Sequence, residues 1–393
     1  MLVVHTNKNS SIFKAAAERV NNTQEAPGVF GILYDDYDAQ QPIYDKWKTA
    51  YPDISIMKVA PRRTTVKMDD KIHMSAVLGD AKCAPIAYTS PDDIESDCPD
   101  NQLFFVKKRG STSARGVSIH SYAELMTGSV DTSACIIHKN MPDPKLIDGQ
   151  RYKLRVYVLV AHGGVYVSRD AWGSTSDVDY KEYDGTMSQA VLKDMHIIYM
   201  RPGRKFFKFS DVEDSDKIFN SICKAVAEFS ERFSEKVDAV KADEFALLGF
   251  DFVVDASNDV CVIEVNHRSN YHHTKEINEG VDVPAIADTM LVLMNGDDNF
   301  VRNNTNYVKV VGCEDDGIEV SGEVSGEVSG EVSGEVSGEV SGEEDGWKEV
   351  GVVVDETEGD DTDEDNEYNG WTEEELNGPV DLGGDMVGGF GCE

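Results

Sequence analysis

The stretch GFDFVVDASNDVCVIEVN, Gly249 to Asn266, decides how the rest of the chain is read. Two apolar, strand-like runs flank a short polar turn at Ala256–Asp259, the pattern of a β-hairpin. Each run nevertheless carries an acid or amide where a plain core strand would place another apolar side chain. The side-chain period of two puts Asp251 and Val253 on one face of the first strand, and Glu264 and Asn266 on one face of the second. Across a hairpin, these three oxygen donors can converge. Two carboxylates and an amide, completed by phosphate oxygens, suit a hard divalent cation such as Mg²⁺.

Basic segments upstream supply the counterpart. RYKLRVYVLVAHGGVYVSRDAW (151–172) reads as two strands around the turn His162–Gly164, and Arg151, Lys153 and Arg155 alternate with Tyr152 and Leu154. Three cations on one strand face repel unless an anion or acids lie opposite, and the acids of 249–266 fit that need. LFFVKKRGSTSARGVSIH (103–120) is strand, polar loop with Gly110 and Gly116, and strand. Small residues there let backbone N–H groups approach an anion, with charge from Lys107, Lys108, Arg109 and Arg115. Neither Walker A nor Rossmann glycine spacing is present. ACIIHKN (134–140) is a further short strand ending in polar groups.

Charge divides the chain of 393 residues. Residues 311–393 hold 28 acids and one base, Lys348, so −27 of the net −36 lies there and only −9 in the rest. SGEV repeats five times over Ser321–Val340, and one Val per unit buries too little surface to offset ordering costs of about 1–2 kcal/mol per residue. The expectation for 312–393 is a disordered acidic tail. No concentrated basic charge points to a nucleic-acid binder. Seven scattered cysteines without a CxxC pair fit a reducing compartment rather than a disulfide framework. No apolar run approaches a membrane span, and MLVVHTNKN lacks a signal peptide's basic region, so the expectation is a cytoplasmic protein.

Within 1–311 strands and helices alternate, an α/β (α+β) class. LVVH (2–5), VFGILYDD (29–36) and ISIMKV (54–59) read as strands, with a helix at IFKAAAERV (12–20). The expected divisions are an N-terminal α/β domain at 1–65, a core at 66–311 with lobes of about 66–140 and 141–311, and the tail. DDKIHMSAVLGD (69–80) reads as a helix ended by Gly79, and SDKIFNSICKAVAEFSERF (215–233) as a packing helix. NHRSNYHH (266–273) reads as a solvated loop lining a cleft, and PGRKFFKF (202–209) as a cleft-lining loop.

FFVKKRGSTSARGV, IIHKNMPDPKLIDGQRYKLRVYVLV, LLGFDFVVD…VCVIEVN and PAIADTMLVL together resemble the ATP-grasp superfamily, more narrowly the tubulin–tyrosine ligase-like family, over roughly 65–295. The resemblance implies an ATP-grasp fold behind a small pre-ATP-grasp domain, and an ATP-dependent ligase that joins a carboxylate to an amine through an acyl phosphate. It implies ATP and Mg²⁺ as cofactors and an amino-acid or peptide acceptor, possibly an acidic tail. Lys107 matches the phosphate-facing lysine, and Arg115 and Gly116 the glycine-rich loop. His138, Lys139, Asn140 and Met141 match the adenine edge. Arg155 matches the catalytic arginine facing the transferred phosphate, and Arg151 and Lys153 lie beside it on the nucleotide side. Asp251, Glu264 and Asn266 match the metal ligands.

Departures accompany the match. His138 replaces a glutamine, Asn140 an aromatic, Arg151 a lysine, Lys153 an acid and Gly173 an arginine that holds the acceptor amino acid, while Ile198 and Tyr199 replace a threonine–asparagine pair. The metal-binding end matches and the amino-acid end does not. The alternative expectation is therefore a degenerate ATP-grasp protein that binds nucleotide or a partner without ligation.

Overall fold

A computed structural model describes residues 2–6, 10–23, 28–35, 39–109, 116–198, 204–269, 271 and 273–311. The strands are β1 (Leu2–Thr6), β2 (Phe30–Tyr34), β3 (Ser55–Val59), β4 (Ala87–Tyr88), β5 (Leu103–Lys108), β6 (Val117–Ser121), β7 (Cys135–Lys139), β8 (Leu146–Ile147), β9 (Gln150–Ala161), β10 (Gly164–Thr175), β11 (Phe206–Lys208), β12 (Glu244–Val254), β13 (Val260–Asn266) and β14 (Tyr307–Val311). The helices are α1 (Ser10–Thr23), α2 (Gln40–Ala50), α3 (Arg62–Asp69), α4 (Lys71–Leu78), α5 (Tyr122–Met126), α6 (Gln189–His196), α7 (Ser215–Arg232), α8 (Ser234–Asp238), α9 (Lys275–Ile277), α10 (Val283–Asn295) and α11 (Asp298–Asn304). The SGEV tail expected at 312–393 lies outside the described residues.

The central strand is β9. Its long apolar run is buried on both faces, which a strand needs when helices cover both sides of its sheet. One face, Leu154, Val156, Val158 and Val160, packs against Ile218, Ile222, Val226 and Phe229 of α7. The other, Tyr157, Leu159 and Ala161, packs against Ala285, Met290 and Val292 of α10. Each Val, Leu, Ile, Phe or Met among these contributes roughly 1.5–3 kcal/mol by leaving water. The α7 residues recur three and four apart, so one stripe of that helix faces the sheet. β9 turns directly into β10 through His162 and Gly163, both with positive φ, as a two-residue hairpin turn of right-handed twist requires.

The large sheet runs β1-β2-β3-β12-β9-β10-β11, with β13 on β12, β14 on β10 and β8 on β9. The N-terminal βαβαβ unit shares this sheet, because β3 pairs in parallel with the start of β12 at Glu244 and Phe245. A second, antiparallel sheet, β4-β7-β5-β6, has its own small core of Tyr88, Phe104, Val106 and Ile137. α4 stands between the two sheets, capped at its N-terminus by Asp70, whose carboxylate accepts from the N–H groups of Ile72 and His73. Polar side chains meet across the cleft between the sheets: Lys107 of β5 reaches β13, and Arg151 of β9 reaches Asn140 just after β7.

Candidate active site

Asp251 and Glu264 are direct cross-strand partners on the β12–β13 hairpin. A bulge follows at once: Asp251 pairs with Glu264 but Phe252 pairs with Val262, so Ile263 is an extra residue. The bulge turns Val262 into the core beside Phe250 and Phe252 while Glu264 stays on the cleft face. It also releases the Ile263 carbonyl, which accepts from Lys107 Nζ at 3.2 Å. Thus β5 of the small sheet is tied to the acidic hairpin of the large one.

β9 pairs with the other edge of β12 and brings Arg155 opposite Asp251. Arg155 Nε donates to Asp251 Oδ1, and Lys153 Nζ lies 2.8 Å from Oδ2. The Asp251 side chain is 1% exposed. Burial by itself would raise its carboxyl, but Arg155 and Lys153 outweigh that and hold it at about 2. Glu264 pairs with Lys71 Nζ at 3.0 Å, and although burial would lower the Lys71 ammonium, Glu264 raises it. Burial pushes Lys107 down to about 8. The four cations Lys71, Lys107, Lys153 and Arg155 therefore face two carboxylates. Two further acids lie close by, Asp70 with Arg109 at 2.8 Å and Asp69 with His267 Nδ1 at 2.7 Å, and both also raise the Lys71 ammonium. Such an excess of fixed positive charge, partly desolvated, suits a polyphosphate.

The residues expected at the adenine edge form a second group. His138 on β7 is buried, with Nε2 2.7 Å from Ser75 Oγ. Ser75 donates its own proton to Lys71 O, so it accepts from His138 Nε2–H and leaves Nδ1 as a bare acceptor with no partner. Burial keeps this imidazole neutral, its pKa well below the usual 6.5. Arg151 Nη1 donates to Asn140 Oδ1 at 3.0 Å and to His196 Nδ1. Burial lowers the Arg151 guanidinium to about 10 and the His196 imidazole to about 3. Strand alternation sends Lys139 to the opposite face of β7 from His138, toward Glu95 and Cys98. Met141 is half-buried just beyond. Gly116 opens β6 with φ 70° and its carbonyl accepts from Lys108 N at 2.9 Å, while Arg115 lies outside the described residues.

Space is closed at Gly173, the position expected at the amino-acid end. A Cβ on Gly173 would lie 2.2 Å from Phe207 Cζ and 2.8 Å from Lys153 O, so an aromatic ring fills the space of any longer side chain. Phe206–Lys208, expected as loop, forms a short edge strand on β10. His273 is not in a solvated loop. Its side chain is fully buried, Nδ1 2.5 Å from Asp282 and the ring 4.2 Å from that of Trp172. Ile198 is buried, and Tyr199 and His272 lie outside the described residues.

Sequence reasoning missed Lys71 and Ser75. One signal was available for the first: a lysine at the first position of a helix opposes the helix dipole and calls for an acid nearby. Ser75 has no signal of its own, because only the fold brings it to His138.

The donor types can be tested against a divalent cation. Glu264 and Asn266 each present oxygen on the cleft face, with Asn266 Nδ2 turned to Gly249 O at 3.3 Å, and they fit one ion arriving with phosphate. Asp251 fits less well, both its oxygens being engaged by cations. Among the described residues no three His, Cys, Asp or Glu side chains come together as a metal-holding group.

Comparison with known proteins agrees with this architecture. The Tubulin-tyrosine ligase family matches residues 59–201. The crystal structure of the C-terminal domain of K. lactis Pby1, described as an ATP-grasp enzyme interacting with the mRNA decapping enzyme Dcp2, superposes with a TM-score of 0.53 at 12% identity, covering 80% of this chain and 100% of that one. Among curated proteins none matches.

Proposed function

Given an ATP-grasp chain that matches the tubulin–tyrosine ligase family over 59–201, we propose that it is an ATP-dependent ligase joining a carboxylate to an amine. The supporting observation is the cleft itself: Lys71 and Lys107 from one side, Lys153 and Arg155 from the other, around the Asp251–Glu264 pair. In the proposed reaction a carboxylate oxygen attacks the γ-phosphorus of ATP, and the bond to the ADP oxygen breaks. The amine nitrogen then attacks the acyl phosphate carbon, inorganic phosphate leaves with the electron pair of the C–O bond, and the nitrogen loses a proton.

Lys107, Lys153 and Arg155 would hold the phosphate oxygens, with Arg155 closest in role to the transferred group, and spread charge that grows as the phosphoryl group moves. His138 Nδ1, a neutral acceptor, suits an exocyclic amine of the base, and Arg151 and Asn140 brace that edge. Mg²⁺ held by Glu264 and Asn266 would neutralise phosphate charge and orient the chain. An acidic peptide, including the chain's own Glu-rich SGEV segment, suits a cleft with excess positive charge as acceptor. An ATP-using enzyme whose described cysteines are all free fits an intracellular site of action. No described helix is long and apolar enough to cross a membrane.

The sealed space at Gly173 favours one other reading, nucleotide binding without ligation, since the family's acceptor-holding arginine has no room there. Hydroxylamine trapping separates the two. Incubation with ATP, Mg²⁺ and panels of amino acids and Glu-rich peptides should yield a hydroxamate and one ADP per trapped acyl group. ATP binding with no hydroxamate and no ADP from any member supports the second reading.

A further inference from the structure

We infer that the Lys153 ammonium takes the place of a divalent cation beside Asp251, so that this cleft binds ATP whether or not a metal sits on Glu264 and Asn266. The inference rests on the nucleotide role proposed above. Lys153 Nζ is 2.8 Å from Asp251 Oδ2 and Arg155 Nε closes on Oδ1, so each oxygen of the carboxylate already has a cation. This is not a surface pair that swings aside. Only 12% of the Lys153 side chain and 1% of Asp251 are exposed, and separating them would leave a charge in a dry site. An incoming ion would have to displace an ammonium already held at hydrogen-bond distance.

An ammonium has three donors, and Asp251 uses one of those on Lys153. Those remaining can meet phosphate oxygens from the side where a metal would bridge them. Glu264 carries a fixed ammonium in the same way, Lys71 at 3.0 Å with 10% of its side chain exposed. With Asp69, Asp70 and Arg109 counted, the cluster has one more positive than negative group before any ion arrives, whereas an acid at 153 would leave it with one more negative. A metal is then the only source of excess positive charge. The position carries the difference: an acid at 153 would leave ATP binding dependent on a metal, and lysine relieves that need.

A purely structural Lys153, serving only to neutralise Asp251, would predict the same stability loss on mutation but no change in metal dependence. Calorimetric titration of the full chain with ATP, in EDTA and in excess Mg²⁺, separates the two. Wild type should bind ATP in EDTA within about tenfold of its affinity in Mg²⁺. Lys153→Asp should lose about a hundredfold or more in EDTA and recover most of it with Mg²⁺, and Lys153→Gln should fall between. Circular dichroism of each variant establishes that it is folded. If Lys153→Asp does not fold, Lys153→Gln and the wild-type ratio still decide. Loss of wild-type binding in EDTA, or an unchanged EDTA-to-Mg²⁺ ratio in the variants, overturns the inference and leaves the ligase proposal standing. Absence of ATP binding in both conditions overturns both.

Discussion

Replacing Asp251 by Asn probes the cleft most directly. The amide keeps the shape of the side chain and removes the charge that two cations share. Asp251 is buried and its carboxyl is held at about 2 against an ordinary 3.8, so at about 1.4 kcal/mol per pKa unit the ionised form contributes about 2.5 kcal/mol. Removing one partner of a buried ion pair costs about 3–5 kcal/mol in general, because the other is left uncompensated. The expected loss for Asp251→Asn is therefore about 2–5 kcal/mol in urea unfolding at pH 7. The pH dependence follows in sign. A carboxyl with a depressed folded pKa stabilises fully above about 4 and progressively less down to about 2, and the variant should lack that limb. Adding Lys153→Met should recover at least about 1 kcal/mol, since the unpaired ammonium goes with it. A variant within about 0.5 kcal/mol of wild type, or strict additivity with Lys153→Met, would refute the view that Asp251 is bound up by these cations.

Other consequences can be measured separately. Lys107, pushed down to about 8 by burial, is charged below that pH and neutral above it, so ATP affinity should fall as pH rises through 8; at pH 9 binding should take up about one proton, read by calorimetry in buffers of different ionisation enthalpy, and zero uptake would count against Lys107 as a phosphate contact. Asp288 is raised to about 6, first by burial and also by Asp170, so its charge destabilises the fold as pH rises from about 4 through 6. Asp288→Asn, which keeps an acceptor for the Asn306 N–H, should gain about 1–3 kcal/mol at pH 8 and nothing at pH 4; a loss at pH 8 contradicts this. Gly173→Arg should cost about 1–3 kcal/mol through the clash with Phe207 and give no added affinity for free glutamate, whereas an unaltered melting temperature would mean that Phe207 yields easily.

How much was legible beforehand follows from the range of each interaction. The hairpin of β12 and β13, the basic face of β9, the β5–β6 loop strands and the packing helix α7 are written in local alternation and helical spacing, which depend on neighbours two to four residues away. Those same patterns placed Asp251, Glu264, Lys153 and Arg155 on faces that could meet, and the acid-rich composition marked off 312–393. Tertiary structure decided the rest. Strict alternation puts Val262 on the face of Glu264, and only the bulge at Ile263, imposed by pairing with β12, sends it to the core and frees the carbonyl that Lys107 reaches. Lys71 entered the site because α4 docks between two sheets, Ser75 because that docking faces β7, and His273 left the solvent because Asp282 and Trp172 enclose it. Each of these contacts joins residues distant in sequence or turned by a register shift. Propensity and period act along the chain, while the partner that neutralises a buried charge is chosen by whichever surfaces the whole fold brings together.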